Sequence, residues 1–340
     1  MKLVTFRTDA HDRGGILVGD AVIDLAHALS WYEHLQGRRC DAPGVADRYG
    51  KGVLGFVENV AEARPAADAV VTAWEGKKLP AVFEGRVLSH ALRDVTLRAP
   101  IPKPPSMRDG YAFRQHVETA RRNRGLEMIP EFDQFPVFYF TNHHGVVGPG
   151  DVHVRKAHLD RLDYELEAAI VVGKKAANLT AQQADEAIFG MTIMNDWSAR
   201  ALQMEEMKLN LGPAKGKDFA TSLGPWLVTI DELVSRGHTQ KTDRGTAFDL
   251  GMRASVNGRE LSRGNVKDMN FTFAQILERA SYGVTLHPGD VVGSGTCGTG
   301  CLLELNGSKI TDNLWLKAGD TVVLEIDGLG RLENRIVLDE

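Results

Sequence analysis

The chain has 340 residues, a formal net charge of −5 and 43% hydrophobic residues. This composition is typical of a globular protein and argues against a disordered chain. The mildly acidic balance argues against a nucleic-acid binder, which needs a basic stripe on its surface. No apolar run reaches the ~18 residues that a membrane-spanning helix needs, and the first residues become polar too soon for a secretory signal. We therefore expect a soluble, cytoplasmic protein of one or two domains with no nucleic-acid or membrane partner.

The first hundred residues have the pattern of a small β-rich unit. The predicted strands are residues 2–6, 15–18 and 21–25. Gly19-Asp20 predicts a hairpin turn between the last two strands, and residues 57–74 are predicted as a helix. Residues 99–106 contain four prolines, which exclude a helix interior or a central strand. The sequence therefore predicts an N-terminal domain over 1–98, a linker, and a large domain over 107–340.

The large domain is rich in predicted strands and has few long helices. Residues 165–172 are predicted as a strand, and residues 195–208 and 271–280 as helices. Asp327-Gly328 separates two β-forming runs and predicts a terminal hairpin. Gly-Asp also comes just before β-forming residues in three segments: 148–152, 287–291 and 317–321. The domain is predicted to be mostly β with interspersed helices, an α+β architecture.

The three cysteines are Cys40, Cys297 and Cys301. So sparse and odd a set does not make a disulfide framework. Cys297 and Cys301 share a Gly-rich segment and could be half of a thiolate metal site. No second cysteine pair accompanies them and no histidine is close in the sequence, so small buried residues are the simpler interpretation.

Two glutamates stand two positions apart, at Glu165 and Glu167, in a sequence that continues into apolar residues. On a strand these side chains face the same side, and two carboxylates ~4 Å apart repel by about 4 kcal/mol at an effective dielectric of ~20. A divalent cation with oxygen ligands would compensate that repulsion. The alternative is a solvated strand face. Asp109 and Asp196 are equally ambiguous alone, since the first could be a turn residue and the second an N-cap.

Six short segments with charged or polar residues are spaced along the large domain. They read Arg-Asp-Gly-Tyr-Ala-Phe-Arg-Gln-His at 108–116, Leu-Asp-Tyr-Glu-Leu-Glu at 162–167, Asn-Asp-Trp-Ser-Ala-Arg-Ala-Leu-Gln at 195–203, Gly-Lys-Asp-Phe at 216–219, Ser-Gly-Thr at 294–296 and Leu-Leu-Glu at 302–304. In this order they resemble the motifs of the fumarylacetoacetate hydrolase family. The resemblance implies a β-roll-like catalytic fold, a small SH3-like N-terminal domain and a homodimer.

The resemblance also implies roles for individual residues. The implied metal ligands are Asp109, Glu165, Glu167 and Asp196. His116 would be the general base, oriented by Glu304. Lys217 would stabilise an enolate, and Arg200 and Gln203 an oxyanion. The implied substrate contacts are Tyr111, Tyr139, Thr296 and one arginine among Arg121, Arg122 and Arg124, of which Arg124 is the best match.

Taken alone, several of these residues have plainer interpretations. His116 could be a surface histidine on a helix, Glu304 an exposed residue at the edge of a strand, and Lys217 a solvated side chain. His143 and His144 are adjacent, would point apart on a strand and lack a third ligand, so they receive no role. The tryptophans predicted to lie in the core are Trp197, Trp226 and Trp315.

The function that the resemblance implies is a metal-dependent hydrolase of aromatic catabolism, which cleaves a C–C bond in a 1,3-dicarbonyl acid. The expected substrates are similar to fumarylacetoacetate, fumarylpyruvate or an acylpyruvate, and the expected cation is Mg²⁺, with Ca²⁺ or Mn²⁺ also compatible. The His116–Glu304 pair favours hydrolysis over related hydratase, decarboxylase, isomerase or oxaloacetate-type tautomerase activities, which need only enolate stabilisation. A non-catalytic, metal-stabilised binding protein is a more distant alternative, which the complete acid–base set argues against.

Overall fold

The computed structural model describes residues 1–9, 11–37 and 51–340. Its α-helices are α1 (Leu25–Leu35), α2 (Val53–Glu58), α3 (Val60–Glu75), α4 (Arg114–Arg122), α5 (Ala181–Ala184), α6 (Arg200–Met207), α7 (Ile230–Ser235), α8 (Phe273–Ala280) and α9 (Leu302–Gly307). Short 3₁₀ turns lie at Leu92–Asp94, Pro130–Asp133, Lys156–Leu159, Asp185–Ala187 and Val266–Asp268. None of the helices in the described part of the chain combines the length and apolar composition that a bilayer crossing needs.

The strands are short, as the sequence predicts. They are β1 (Lys2–Arg7), β2 (Asp12–Val18), β3 (Ala21–Asp24), β4 (Val82–Phe83), β5 (Arg86–Val87), β6 (Ser89–Ala91), β7 (Thr96–Arg98), β8 (Met107–Gly110), β9 (Phe138–Phe140), β10 (Val146–Val147), β11 (Gly150–Val154), β12 (Leu162–Asp163), β13 (Leu166–Val172), β14 (Ala176–Ala177), β15 (Ile188–Asp196), β16 (Ser198–Ala199), β17 (Thr221–Thr229), β18 (Thr239–Thr242), β19 (Gly245–Phe248), β20 (Gly251–Val256), β21 (Arg259–Asn265), β22 (Thr285–Leu286), β23 (Val291–Gly293), β24 (Thr321–Ile326) and β25 (Gly330–Leu338).

A large sheet lies between two hydrophobic cores. Its strands are ordered β6-β3-β2-β1-β17-β15-β13-β23-β8-β9, with β10 paired to β17 and β7 paired to β1. Most neighbours are antiparallel, but β8 runs parallel to β23 and β10 runs parallel to β17. A second sheet has the order β11-β25-β24-β20-β21. The predicted mixture of large sheets and interspersed helices is confirmed.

Strand β13 shows how the large sheet is buried on both faces. Ala168 and Ile170 face the core that includes α8, whereas Ala169 and Val171 face the core that includes α1, α2 and α3. Both faces exclude water, so each side chain on the strand gains from being apolar. This explains why the sequence here is a continuous apolar run rather than an alternating one, and it confirms the strand predicted at 165–172.

The predicted strands at the N-terminus are confirmed. β1, β2 and β3 pair in sequence order, and Gly19 has a φ of 57° in the turn, which glycine adopts without strain. The helix predicted at 57–74 is two helices, α2 and α3, because Asn59 between them leaves helical geometry. β1 also pairs with β17, so the N-terminal strands extend the large sheet. The division of the chain into two domains stays a prediction.

The C-terminal predictions are also confirmed. β24 and β25 form the antiparallel hairpin predicted around Asp327-Gly328. Helix α8 lies within the predicted range 271–280, and the Thr272 side chain caps its N-terminus by accepting from the Gln275 amide. The Gly-Asp turns at 289–290 and 319–320 lead into β23 and β24, whereas Gly150-Asp151 already lies in β11.

The helix predicted at 195–208 is wrong in its first part. The chain continues as strand β15 to Asp196, which pairs with Thr221 of β17, and α6 starts only at Arg200. Glu304 is also not on a strand, because it lies in helix α9. Asp196 lies in a strand because that strand pairs with β17. Glu304 lies in a helix because the distant carboxylate of Asp163 caps the N-terminus of α9.

Some predictions about aromatic residues need correction. Trp197 is fully buried, but Trp226 and Trp315 are only half-buried against the same core. His143 and His144 lie in a turn rather than on a strand, and their ring centroids are 4.3 Å apart. Cys297 and Cys301 are buried free thiols, as the simpler interpretation predicts, and Cys40 lies outside the described residues.

Candidate active site

Strand register brings the predicted acids to one face of the large sheet. Leu166 of β13 pairs with Asn195 of β15, which puts Glu165, just before β13, across from Asp196 at the end of β15. Glu167 is two residues further along β13, on the same face as Glu165. Asp109 reaches this face from β8, which is linked to β13 through β23.

Gly293 of β23 makes room for this convergence. A side chain at this position would collide with the Asp109 carboxylate, and its Cβ would lie 2.9 Å from the Met194 sulfur, closer than real Cβ atoms come. Ala169, its neighbour on β13, is also small. The acids can approach each other because the strand between them carries almost no side-chain volume.

The four acids form a buried carboxylate cluster. Ligand oxygens of Asp109, Glu165 and Glu167 all lie within 4.8 Å of one another. Asp196 joins them through Lys217, whose Nζ donates to Asp196 Oδ2 at 2.6 Å and also to Glu165 Oε2. All five side chains are buried. We refer to Asp109, Glu165, Glu167 and Asp196 as the carboxylate cluster.

Burial dominates the electrostatics of the carboxylate cluster. It raises the pKa of Asp109 to about 8, and the charges of neighbouring acids add to this effect. Burial and the charge of Asp109 raise the pKa of Glu167 well above its usual value. Burial also raises the pKa of Glu165, but Lys217 and Arg200 outweigh it and hold that pKa at about 2. In the absence of a cation, the cluster must therefore retain protons.

The carboxylate cluster fits a divalent cation. Within the described residues, Glu167 Oε2 and Asp196 Oδ1 are buried and have no hydrogen-bond partner. Lys217 supplies one positive charge to the four acids of the cluster. The charge of Arg200 is shared between Glu165 and a fifth carboxylate, that of Asp163. Buried charges without partners are costly, and a hard cation with oxygen ligands would satisfy both oxygens and reduce the repulsion.

Two of the predicted substrate contacts lie against the carboxylate cluster. Tyr139 of β9 stands opposite Asp109 of β8, and its hydroxyl donates to Asp196 Oδ2. The Thr296 hydroxyl donates to Glu167 Oε1 at 3.3 Å. Both hydroxyls therefore border the place where a cation would bind.

His116 and Glu304 form a buried pair beside this cluster. His116 Nδ1 is 2.6 Å from Glu304 Oε2, and the other carboxylate oxygen accepts from the Thr299 amide at 2.9 Å. Glu304 has no proton to donate when ionised, so Nδ1 carries the proton and Nε2 is left as an acceptor. Tyr111 packs edge-on against the imidazole, with ring centroids 5.8 Å apart. The amide of Leu166, which lies between Glu165 and Glu167, donates to the Gly300 carbonyl at 2.9 Å, just before helix α9, so the pair and the cluster are neighbours.

Arg200 connects the carboxylate cluster to a residue that the sequence analysis missed. Its Nη2 donates to Glu165 Oε1 at 2.8 Å and its Nε to Asp163 Oδ2 at 2.8 Å. Its Nη1 donates to Gln203 Oε1 at 3.0 Å, which leaves the Gln203 amide nitrogen free of this contact. Asp163 lies two residues before Glu165, so the spacing that pairs the two glutamates could have pointed to it.

Asn195 is a second residue that the sequence analysis missed. Its side-chain oxygen accepts from the Glu165 amide at 2.9 Å, and its buried side-chain nitrogen has no partner in the described ranges. It therefore fixes the backbone at the start of β13. Its position directly before Asp196 was the available signal.

The three candidate arginines lie at the end of α4 and just after it. Arg121 donates to the Glu127 carbonyl and Arg122 to the Thr119 hydroxyl at 3.2 Å. Arg124 is exposed, and its charge acts on Tyr111, opposing the burial that raises the tyrosine pKa. Arg124 is therefore the one for which an electrostatic link to the site is found.

Comparison with known proteins gives consistent matches. The family profile for the C-terminal domain of fumarylacetoacetate (FAA) hydrolase matches residues 106–337. Oxaloacetate tautomerase YisK from Bacillus subtilis is 32% identical over 255 residues, covering 73% of this chain and 75% of that protein. Fumarylacetoacetase from Bos taurus is 36% identical over 264 residues, covering 65% of this chain and 62% of that protein. The crystal structure of maleylpyruvate hydrolase from Sphingobium sp. SYK-6 with manganese(II) and pyruvate matches with a TM-score of 0.66, 19% identity and 100% coverage of both chains.

Proposed function

Because the chain belongs to the fumarylacetoacetate hydrolase family, we propose that it is a metal-dependent hydrolase that cleaves a C–C bond in a 1,3-dicarbonyl acid. One observation carries the proposal: the buried His116–Glu304 pair stands beside a carboxylate cluster in which Glu167 Oε2 and Asp196 Oδ1 lack partners among the described residues. The relatives are named as hydrolases, tautomerases and isomerase/decarboxylases, so membership alone leaves the reaction open. The pair favours hydrolysis because it can accept a proton from water.

The carboxylate cluster would hold the cation. Support comes from the two unpartnered oxygens and from the manganese ion in the maleylpyruvate hydrolase structure, which has the same fold. A set of oxygen ligands suits Mg²⁺, Mn²⁺ or Ca²⁺, and Mg²⁺ is our first choice. When bound, the cation supplies positive charge that stabilises an enolate oxygen.

The chain's own residues would then activate water and stabilise charge. Glu304 holds the imidazole of His116 so that Nε2 can take a proton from water. The Gln203 amide nitrogen is left to donate to a developing oxyanion, because its oxygen already accepts from Arg200. Lys217 adds a fixed positive charge next to the enolate.

The proposed reaction consumes one water per bond broken. For a fumarylpyruvate-like diacid or an acylpyruvate, the hydroxide adds to the carbonyl carbon remote from the 2-oxo acid group, and the bond from that carbon to the adjacent CH₂ carbon breaks. The electron pair remains with the 2-oxo fragment as its enolate, and the proton taken by His116 returns to the former CH₂ carbon. The products are a 2-oxo acid and a second carboxylic acid. A fumarylacetoacetate-like diacid would be cleaved in the same way, with a 3-oxo acid as its oxo product.

The arginine near Tyr111 bears on substrate choice. All three arginines make local contacts, Arg124 through its Nε to the Ala120 carbonyl at 3.0 Å, but only for Arg124 is an action of its charge on Tyr111 found among the described residues. An arginine at the mouth of the site could bind a distal carboxylate. We therefore rank diacids similar to fumarylacetoacetate or fumarylpyruvate first, and short acylpyruvates second.

Oxaloacetate-type tautomerisation is the second candidate. It is favoured by the 32% identity to a protein named oxaloacetate tautomerase. This reaction also passes through an enolate and needs a base to move a proton, so the carboxylate cluster and His116 would serve it as well. It differs from hydrolysis in that no carbon–carbon bond breaks.

Product analysis separates the candidates. The purified protein with Mg²⁺ is given a fumarylpyruvate-like diacid, an acylpyruvate or oxaloacetate, and the enol absorbance is followed in the ultraviolet while chromatography identifies the products. Equal amounts of two acid fragments support hydrolysis. Carbon dioxide release, or a product of unchanged carbon count, refutes hydrolysis and favours a decarboxylase, hydratase or tautomerase.

We further propose that the protein is a homodimer formed through the large domain. Closed two-fold dimers are the commonest assemblies of soluble enzymes. Sedimentation of the purified protein should then give about twice the chain mass. A monomer at micromolar concentration would contradict this proposal without affecting the proposed chemistry.

A further inference from the structure

A buried thiol lies next to the proposed base. Cys301 immediately precedes helix α9, Glu304 lies in the first turn of that helix, and His116 comes from α4, which packs against α9. One ring nitrogen of His116, the Cys301 Sγ and one carboxylate oxygen of Glu304 all lie within 4.8 Å of one another. All three side chains are buried. The fold therefore brings together a nitrogen, a sulfur and an oxygen donor.

These three donors match the ligands of zinc. Zn²⁺ binds cysteine sulfur at ~2.3 Å, histidine nitrogen at ~2.0–2.1 Å and carboxylate oxygen at ~2.0–2.2 Å, usually with four ligands. At the tetrahedral angle two such bonds place their donors ~3.3–3.6 Å apart, so donors within 4.8 Å of one another would have to approach by up to roughly 1.5 Å to share one ion. Three protein ligands would leave one position for water.

The neighbouring carboxylate cluster differs in chemistry. It offers only oxygen ligands, which suit hard cations such as Mg²⁺. The sulfur of Cys301 favours softer ions, and affinity for Zn²⁺ exceeds that for Mn²⁺ at mixed nitrogen, oxygen and sulfur sites. The two groups of side chains therefore differ in the ion they would select.

The other described cysteine is placed differently. Cys297 Sγ lies against the backbone at Gly264 and Gly300, where an added Cβ would come within 3.0 Å and 2.9 Å of it. Cys297 is not part of the group formed by His116, Cys301 and Glu304. It is buried to the same extent as Cys301 and is therefore a matched control.

We propose that His116, Cys301 and Glu304 form a second metal site, which takes Zn²⁺ or a similarly soft divalent cation and switches the enzyme off when it is filled. Binding exchanges the thiol proton for the metal ion, and the proton goes to solvent. The ion also occupies the imidazole and the carboxylate that would otherwise handle the proton of water. The loss of activity rests on the proposed function of His116, whereas the binding of the ion does not.

The test uses the full-length protein in excess Mg²⁺, so that the carboxylate cluster is supplied with a hard cation. Zn²⁺ is titrated by competition with a chromophoric chelator, and Co²⁺ is used as a spectroscopic probe for a thiolate-to-metal charge-transfer band. The variants are Cys301→Ser and Cys301→Ala, with Cys297→Ser and Cys40→Ser as controls. Glu167→Gln tests whether Zn²⁺ is binding to the carboxylate cluster instead.

We expect one Zn²⁺ per chain, a charge-transfer band with Co²⁺ and inhibition by about one equivalent of Zn²⁺. Both Cys301 variants should lose the band and bind Zn²⁺ at least about tenfold more weakly, since loss of even an outer partner of a metal ligand costs ~10–100-fold. The Cys297, Cys40 and Glu167 variants should keep the band. Equal Zn²⁺ affinity in Cys301→Ser and the parent protein, or loss of the site in Glu167→Gln, overturns the proposal.

The two proposals can fail separately. If Zn²⁺ binds through Cys301 but turnover is unchanged, the second metal site exists and His116 is not the base. If Zn²⁺ does not bind through Cys301, the second site is refuted while hydrolysis stands. Activity of the Cys301→Ser variant without Zn²⁺ should stay near that of the parent protein, because the thiol has no part in the proposed reaction.

Discussion

Asp163 and Glu167 are both buried acids on one stretch of chain, but their oxygens are satisfied very differently. Asp163 accepts from the Leu302 amide at 2.6 Å, from the Leu303 amide at 3.0 Å and from Arg200 Nε at 2.8 Å. Glu167 accepts one long contact from the Thr296 hydroxyl and lies against the Asp109 carboxyl, a second acid, and its Oε2 lacks a donor within the described ranges. The first acid ties helix α9 and Arg200 together, whereas the second is left open.

The difference separates a buried acid that stabilises the fold, Asp163, from a buried acid that is left open for a ligand, Glu167. A buried polar atom without a partner costs about 1–3 kcal/mol, and more if it is charged. A fold that satisfies Asp163 so completely and leaves Glu167 Oε2 and Asp196 Oδ1 open has accepted that cost within the carboxylate cluster. A ligand that meets the open oxygens explains why the cost is kept.

Removal of the cation should have the largest effect. We expect the chelated protein to be inactive and Mg²⁺ or Mn²⁺ to restore turnover, because the open oxygens would be ligands. Glu167→Ala should weaken Mn²⁺ binding sharply in calorimetric titration, and Asp231→Asn, at an exposed acid, should not. Full activity after chelation would show that the open oxygens of the carboxylate cluster do not bind a cation that turnover needs.

Loss of the base should have the next largest effect. His116→Ala is expected to lower kcat by about 10²–10⁴-fold, the usual contribution of a general base. Mn²⁺ affinity should stay nearly unchanged, because His116 is outside the carboxylate cluster. Steady-state kinetics and a Mn²⁺ titration on the same sample check both parts. An unchanged turnover number would assign the base to another residue, whether the reaction is hydrolysis or tautomerisation.

Loss of the satisfied acid should act on stability. Asp163→Asn puts an amide nitrogen where Oδ2 accepts from Arg200 and Leu303, or leaves one of them unpaired, and breaking a buried pair costs ~3–5 kcal/mol. Denaturant unfolding is expected to show a loss of about 3 kcal/mol, with Asp160→Asn as an exposed control. A change below about 0.5 kcal/mol would show that Asp163 is not the structural counterpart of Glu167.

Substitution of the open acid, Glu167, should have the opposite effect on the stability of the metal-free protein. Glu167→Gln removes an acid whose pKa is raised by burial, so the free energy of unfolding should rise at pH 7. A raised pKa makes the folded state less stable as pH rises above the unfolded value of ~4.3. The advantage of glutamine should therefore vanish below about pH 4. A loss of stability at pH 7 would contradict the comparison.

An exposed ion pair should make the smallest contribution to the free energy of unfolding. Arg64 Nη2 donates to Asp231 Oδ2 at 2.7 Å between α3 and α7, and this contact lowers the pKa of Asp231. Asp231 is more than half exposed, so the pair should contribute no more than about 1 kcal/mol. A lowered pKa gives stability that is present above the unfolded value of ~3.9 and lost as pH falls below it. Asp231→Asn should thus cost stability in denaturant unfolding at pH 7, and progressively less as pH falls below ~3.9.

Local patterns in the sequence were sufficient for much of the fold. The strands of the N-terminal meander, β13 and the β24–β25 hairpin were predicted, because alternation, apolar runs and turn residues act over a few neighbours. The acids of the carboxylate cluster were also identified from the chain, Glu165 and Glu167 by spacing and Asp109 and Asp196 by family resemblance. The roles of these residues stay predictions until the experiments are done.

Only the tertiary structure decided which side chains meet and which are satisfied. Asp196 ends a strand instead of capping a helix, because β17 supplies its backbone partner. Glu304 lies on a helix that Asp163 caps from far away in the sequence. Cys301, which has no histidine close to it in the sequence, lies beside His116. Partners and burial depend on packing between distant segments, so the sequence could indicate donors and acids but not which of them the fold would leave open.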